Sequence, residues 1–257
     1  VPPRPTPAAA PPAPPPVPAD TRPAGCTVIV PIGGAERVGL LKTTLERLKS
    51  CRGVTRTVVV EMGPQEHLSG IAPALADVHV FIPAPEFIKT RAMNAGTAFA
   101  DTSHLLWLDG DILVPDGLIE EAVAECRRLN LDCRLPWAEV RYLSEEDSAA
   151  VAAGRAVPDG CTPTRVFRSR KGDIGSAILA RTAFVQRYGG MIGGFRGWGG
   201  EDNAWYAKAR LLGRSAVTGT SRVLHHLYHP LSGGTAANGE HTTANPRYAA
   251  NVALMNA

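Results

Sequence analysis

From Cys26 onward the chain alternates short apolar runs with segments of helical period. CTVIVPI (residues 26–32), TRTVVVEM (55–62), DVHVFIP (77–83) and HLLWLDGDILVP (104–115) are dense in β-branched and aliphatic residues. Runs of this kind, lacking strict polar alternation, predict strands buried on both faces of a parallel sheet. Between them, residues 36–50 place Leu41, Leu45 and Leu48 at helical spacing, and a helix fits roughly residues 90–100. Residues 116–130 put Leu118, Ile119, Ala122, Val123, Cys126 and Leu129 on one helical face. Strands alternating with helices imply an α/β fold, a mostly parallel central sheet flanked by helices, with ligands at the carboxyl ends of the strands.

The second half is less regular. Ser144 followed by Asp147 reads as a capping box for a short helix ending at Gly154. Residues 155–175 read as a basic loop that includes Arg165, Arg168, Arg170 and Lys171. A short strand (176–179) and a helix (181–188) follow. Then come the glycine-rich GGMIGGFRGWGGEDN (189–203), a helix to Leu212, and Gly213 as its C-cap. Residues 231–246, rich in Gly, Ala, Thr and Asn, read as a mobile segment.

Composition trims this picture at one end. Eleven of the 22 prolines fall in residues 1–24, a segment too poor in large apolar residues to bury a core. It reads as an extended tail or spacer before a single domain (25–257) of two halves (25–115 and 116–257). Hydrophobic residues at 44% and charged residues at 20% exclude a wholly disordered chain. Lys and Arg (27) against Asp and Glu (24) leave a net charge of +3, too mild to argue for nucleic acid. No apolar stretch reaches the roughly 18 residues of a membrane span. The five cysteines form no CxxC pair, against a disulfide framework and a thiolate zinc site. They read as buried structural thiols in a reducing compartment. With the Ala-, Arg- and Pro-rich composition that points to a bacterial cytoplasm, the alternative being a trimmed lumenal protein with the proline tail as its stem.

The candidate chemistry gathers at four places. Asp109-Gly110-Asp111 follows the apolar run HLLWL, so two carboxylates at a strand end can converge on one hard cation, with Gly110 permitting the turn. Gly197-Trp198-Gly199-Gly200-Glu201-Asp202-Asn203 combines a close-approach loop, a flat apolar ring suited to a sugar, and two acids at a helix start. There the helix dipole favours the ionised form, and an ionised carboxylate can accept a proton. His225-His226-Leu227-Tyr228-His229 offers one imidazole, from His225, His226 or His229, to complete a metal site. Arg37, Lys89 and Arg91 follow predicted strands and suit a phosphate.

Taken in order, these pieces resemble a glycosyltransferase of the GT-A fold. The likeness is to the β-1,4-galactosyltransferase family, with chondroitin-polymerase-type and polypeptide N-acetylgalactosaminyltransferase-type relatives. It rests on VIVPI…ERVGLLKTTLERL (28–48), FIKTRAMNAG (87–96), LLWLDGDILVP (105–115) and GFRGWGGEDNAWYAKARLLG (194–213), extended by RVLHHLYHP and NPRY. The resemblance implies Mn²⁺ (or Mg²⁺) held by Asp111 and His226, with Asp109 on the metal or ribose side. It implies Asp202 as catalytic base, Glu201 as an acceptor-binding carboxylate, and Trp198 as the ring of a mobile loop over the sugars. Pro31, Ile32 and Glu61 fall beside the nucleobase; Arg37, Lys89 and Arg91 near the diphosphate; Gly110 completes the donor set. The implied activity is inverting transfer of a hexose or N-acetylhexosamine from a UDP-sugar to a hydroxyl of a carbohydrate or glycoconjugate acceptor. Asn203 stands where the family often has a third acid, and Lys89 where an Arg is usual. The rival readings are a nucleotidyltransferase, for which PIGGAER is a weak phosphate loop, and a silent sugar-nucleotide-binding protein.

Overall fold

The computed structural model describes residues 21–169, 174–197, 199–216, 220–230 and 247–256. Most of the proline-rich tail, Arg170, Lys171, Trp198 and the 231–246 segment therefore lie outside the described residues.

The predicted strands form. β1 (Cys26–Ile32), β2 (Val54–Gly63), β3 (Val78–Pro83) and β4 (His104–Leu108) lie in a seven-stranded sheet of order β10-β6-β9-β4-β1-β2-β3. β1 pairs parallel with both β2 and β4, and β2 with β3. Every residue of β1 and β4 is buried, which is why neither run shows polar alternation. β9 (Ala177–Arg181) is the exception in direction, antiparallel to both β4 and β6 (Cys133–Arg134). β10 (Ser215–Ala216) closes that edge.

The helices cover the sheet faces. α1 (Val38–Lys49) buries Leu41, Thr44, Leu45 and Leu48, the predicted stripe plus one threonine. α2 (Ala72–Leu75) is a single turn. α3 (Lys89–Thr97) packs on β1 so closely that a Cβ at Gly96 would stand 2.4 Å from the Ile29 side chain. α4 (Leu118–Leu129) buries Leu118, Ile119, Ala122, Val123 and Cys126, whereas Leu129 is exposed. α5 (Glu145–Ala152) opens with the expected cap, the Asp147 N–H donating to Ser144 Oγ at 3.0 Å. α6 (Thr182–Tyr188) and α7 (Glu201–Leu212) follow as expected, and α8 (Tyr248–Asn256) closes the chain. Gly213 does cap α7, but with extended backbone. Glycine is needed there because a Cβ would meet the Phe184 ring at 2.6 Å.

Two departures matter for the site. The 104–115 run is two strands: β4 ends at Leu108, and β5 (Ile112–Leu113) joins a second sheet of order β5-β11-β7-β8. The stretch read as a basic loop contributes β8 (Arg165–Arg168) to that sheet, beside β7 (Glu139–Tyr142) and β11 (Val223–His226). Asp109-Gly110-Asp111 is thus the bend between the sheets. Its backbone does not need a left-handed glycine: Gly110 is not among the positive-φ residues, and a Cβ there would only touch the Pro31 carbonyl at 3.4 Å.

The chain runs outward from β1 through β2 to β3, then crosses back to β4 on the other side of β1. The carboxyl ends of β1 and β4 therefore frame the switch point where ligands bind in open α/β sheets. At the opposite pole, a depression of about 320 Å³ beside the start of β2 is lined by Leu48, Val54, Thr57 and Asp77, away from all the candidate chemistry.

Candidate active site

One residue ties together the two elements that carry the acids and the helix that carries the lysine between them. Trp107, 1% exposed on β4, stands edge-on to Trp205 of α7 with ring centroids 4.9 Å apart, and its Nε1–H donates to Thr97 Oγ1 of α3 at 3.3 Å. Asp109 lies two residues past Trp107, Glu201 lies four before Trp205, and Lys89 opens the helix that holds Thr97. A packed indole pair thereby fixes the separation of two acid groups that are about 90 residues apart in sequence.

Those groups meet on Lys89. Its Nζ lies 2.9 Å from Asp109 Oδ1, 3.0 Å from Asp202 Oδ2 and 3.3 Å from Glu201 Oε1. Burial works against the ammonium, but Asp109, Asp202 and Glu201 together hold it well above the usual lysine range. Burial pushes the Asp202 carboxyl up to about 7; Lys89 pulls it down, while Glu201 and Asp109 add to the rise. The helix-dipole expectation of a readily ionised Asp202 is thus reversed by desolvation. Burial likewise raises Asp109, against Lys89 and with Asp111 adding to it. Gly175 packs against Asp202 so closely that a Cβ there would stand 2.8 Å from Asp202 Oδ2. Glu201 Oε2 accepts from the Gly199 N–H at 3.1 Å, fastening the end of the glycine-rich loop.

Asp111 faces the other way, into a separate cluster. Its Oδ2 accepts from Arg37 Nη1 at 2.9 Å and lies 3.2 Å from His229 Nε2; its Oδ1 lies 3.6 Å from His226 Nε2. Asp111, His226 and His229 form a group whose ligand atoms all lie within 4.8 Å of one another. Both rings are oriented alike: Nδ1 of His226 lies 2.7 Å from the Leu227 carbonyl, and Nδ1 of His229 2.9 Å from that of Pro230. A carbonyl only accepts, so each Nδ1 carries the proton and each Nε2 turns toward Asp111.

Charge states sharpen the point. Burial opposes ionisation of Asp111, but His226, His229 and Arg37 hold it well below the usual carboxylate range. Burial lowers His226, outweighing the pull of Asp111. A neutral His226 then aims a lone pair at a carboxylate oxygen, an arrangement that a divalent cation between them relieves. Two imidazoles and one carboxylate suit Mn²⁺ in donor type. His229 thus joins His226 rather than replacing it. His225 points to the opposite face of β11, with Nε2 3.6 Å from Asp159. Asp109 is drawn to Lys89 and stands outside this cluster.

The remaining candidates divide. Pro31 and Ile32 end β1, buried under the Asp-Gly-Asp bend, with Ile32 in register with Glu61. Glu61 is buried, and its oxygens take the His67 N–H (2.6 Å), the Leu68 N–H (3.2 Å) and His79 Nε2 (3.2 Å). It organises its own loop, and with Glu66 and His79 makes a second group of ligand atoms, one member of which is exposed. Arg37 reaches the site through Asp111, and Lys89 through the acids. Arg91 is exposed and enters none of these ion pairs among the described residues. Tyr142, which the sequence did not single out, stacks on His226 with centroids 4.2 Å apart and planes at 18°.

Comparison with solved structures fits this geometry. Over 90% of this chain and 65% of that one, the structure resembles S. aureus TarS 1–349 in complex with UDP-GlcNAc (TM-score 0.60, 13% identity). It also resembles the mannosyltransferase PcManGT of Pyrobaculum calidifontis in complex with GDP-Man and Mn²⁺ (TM-score 0.53, 18% identity, 80% of this chain and 58% of that one). The fold is that of GT-A glycosyltransferases. The chain spans less than two thirds of the length of these neighbours, and at such identities the likeness establishes the fold alone. The likeness does not extend to confirming the galactosyltransferase family. No protein-family model matches the chain, and no curated protein does. Among the described residues, no helix is long and apolar enough to cross a membrane.

Proposed function

We propose that this chain is a metal-dependent inverting glycosyltransferase that moves a hexose or N-acetylhexosamine from a UDP-sugar to an acceptor hydroxyl. The observation that carries the reading is the convergence, at the switch point of the sheet, of Asp111, His226 and His229 beside a separate buried nest of Asp109, Glu201 and Asp202. The nucleotide-sugar complexes of the structural neighbours support it.

Asp111, His226 and His229 would hold Mn²⁺, which when bound neutralises charge on the departing diphosphate. Arg37 fixes Asp111 in its orientation. Asp202 takes the proton of the acceptor hydroxyl as that oxygen bonds to the anomeric carbon. The bond from the anomeric carbon to the diphosphate oxygen breaks, its electron pair leaving with the nucleotide. A proton affinity near neutrality suits a base that must be ionised before transfer and hold a proton after it. Glu201, tied to Gly199 and Lys89, holds the loop end beside Asp202.

Asp202→Asn tests the base. A positioned base contributes about 10²–10⁴-fold, so kcat should fall by that factor while calorimetric affinity for UDP with Mn²⁺ is retained. Near-full turnover in the variant would refute the assignment. Titrating the parent with a panel of UDP-sugars and GDP-mannose, with Mn²⁺ or chelator, names the donor; metal-independent binding would refute the metal.

A further inference from the structure

We propose that Tyr142 is a positioning residue that sets the plane of the His226 ring for metal binding, a role resting on the metal-site reading above. The strand register dictates the contact. Across the second sheet, Ile112 pairs with His226, His226 with Tyr142, and Tyr142 with Arg165. Directly paired residues project to the same face, so His226, Tyr142 and Arg165 stand in one row.

That row is braced from the sheet edge inward. Arg165 Cζ sits 4.0 Å over the Phe167 ring and 5.5 Å over that of Tyr142. Phe167 meets Tyr142 edge-on at 5.0 Å, and Tyr142 lies flat against His226 at 4.2 Å. On its other flank His226 meets His229 with centroids 5.1 Å apart and planes at 44°.

The hydrogen bond from Nδ1 to the Leu227 carbonyl fixes which nitrogen carries the proton. It leaves the ring free to tilt about that bond. The stack on Tyr142 removes the tilt and keeps Nε2 aimed at the Asp111 cluster. A flat ring performs this task, and the hydroxyl is not required. Groups that orient metal ligands from behind typically cost 10- to 100-fold in metal affinity when lost.

The test is calorimetric titration of the full chain with MnCl₂ in saturating UDP, for the parent, Tyr142→Phe and Tyr142→Leu, with melting curves taken without metal. The expected result is parent-like affinity for Tyr142→Phe and an affinity about 10- to 100-fold weaker for Tyr142→Leu. In turnover assays the Leu variant should need more Mn²⁺ for half-maximal rate while keeping its kcat at saturating Mn²⁺. Should Tyr142→Leu fail to fold, Phe167→Leu, one contact farther from the metal, should weaken Mn²⁺ severalfold. A parent that binds Mn²⁺ and variants that bind it equally well would overturn the role of Tyr142 and leave the transferase reading standing. A parent that binds no Mn²⁺ overturns both.

Discussion

Replacing Lys89 by methionine removes the ammonium shared by Asp109, Glu201 and Asp202 while keeping a side chain of similar length. The lysine side chain is 18% exposed, and its partners Glu201 and Asp202 are 5% and 12% exposed. Removing one partner of a buried ion pair costs about 3–5 kcal/mol, because the charges left behind have no counterion. For a domain of this size that lowers Tm by roughly 6–20 °C. The loss should depend on pH, with a definite sign. Asp202 already titrates near 7 in the parent, above its unfolded value, so the folded state binds the extra proton and its contribution to stability declines as pH rises toward 7. Without Lys89 the carboxyl holds its proton to still higher pH. Below about pH 7 Asp202 is protonated in both proteins, and the gap between them stays level. Above it, the gap widens by about 1.4 kcal/mol per pH unit for each carboxyl still protonated only in the variant. Melting curves of both proteins at pH 6, 7, 8 and 9, without metal or nucleotide, measure this. A gap that is absent, or that narrows above pH 7, would refute a charge-sharing role for Lys89.

Further outcomes follow from the same geometry. Trp107→Ala should destabilise by about 3–5 kcal/mol in denaturant unfolding, since it empties a fully packed site and frees α7 from β4. Gly175→Ala puts a methyl 2.8 Å from Asp202 Oδ2 at a backbone φ of +129°, so kcat should drop while Mn²⁺ affinity, set by the separate Asp111 cluster, is unchanged. Asp111→Ala should abolish the Mn²⁺ dependence of UDP binding by calorimetry, whereas Asp109→Ala should spare Mn²⁺ and shift the melting temperature. Ser144→Ala removes the cap of α5 and should cost about 1 kcal/mol in unfolding free energy, with no effect on ligand binding.

The centre of the first sheet was legible because every residue of β1 and β4 is buried and almost all of them are apolar. The second sheet was not. β7 and β8 are EVRY and RVFR, half-buried strands whose polar positions are an interlocked set of charges: Glu139 pairs with both Arg141 and Arg168. Written out in sequence, such a ladder looks like a basic loop. β5, β6 and β10 are two residues each, too short to carry any period. Tyr142 was invisible for the same reason: its meaning comes from pairing with His226, a register set between residues 84 apart in sequence.

The acids show where local reasoning stops. Position along the chain placed Glu201 and Asp202 in the first turn of a helix, and they are there. A helix N-terminus favours a carboxylate by about 0.3–1 kcal/mol, up to ~2 in buried geometry. The move of Asp202 from 3.8 to about 7 corresponds to about 4 kcal/mol in the opposite sense at 1.36 kcal/mol per pH unit. The larger quantity comes from burial of the side chain, with Gly175 packed against it and the neighbouring Glu201 and the distant Asp109 adding to the rise against the pull of Lys89. Lys89 was read as a phosphate ligand by the same local logic, when distance places it among acids. Desolvation and shared charge are properties of the assembled site. They leave Asp202 with a proton affinity close to neutral pH, where a base both captures and releases a proton at least cost.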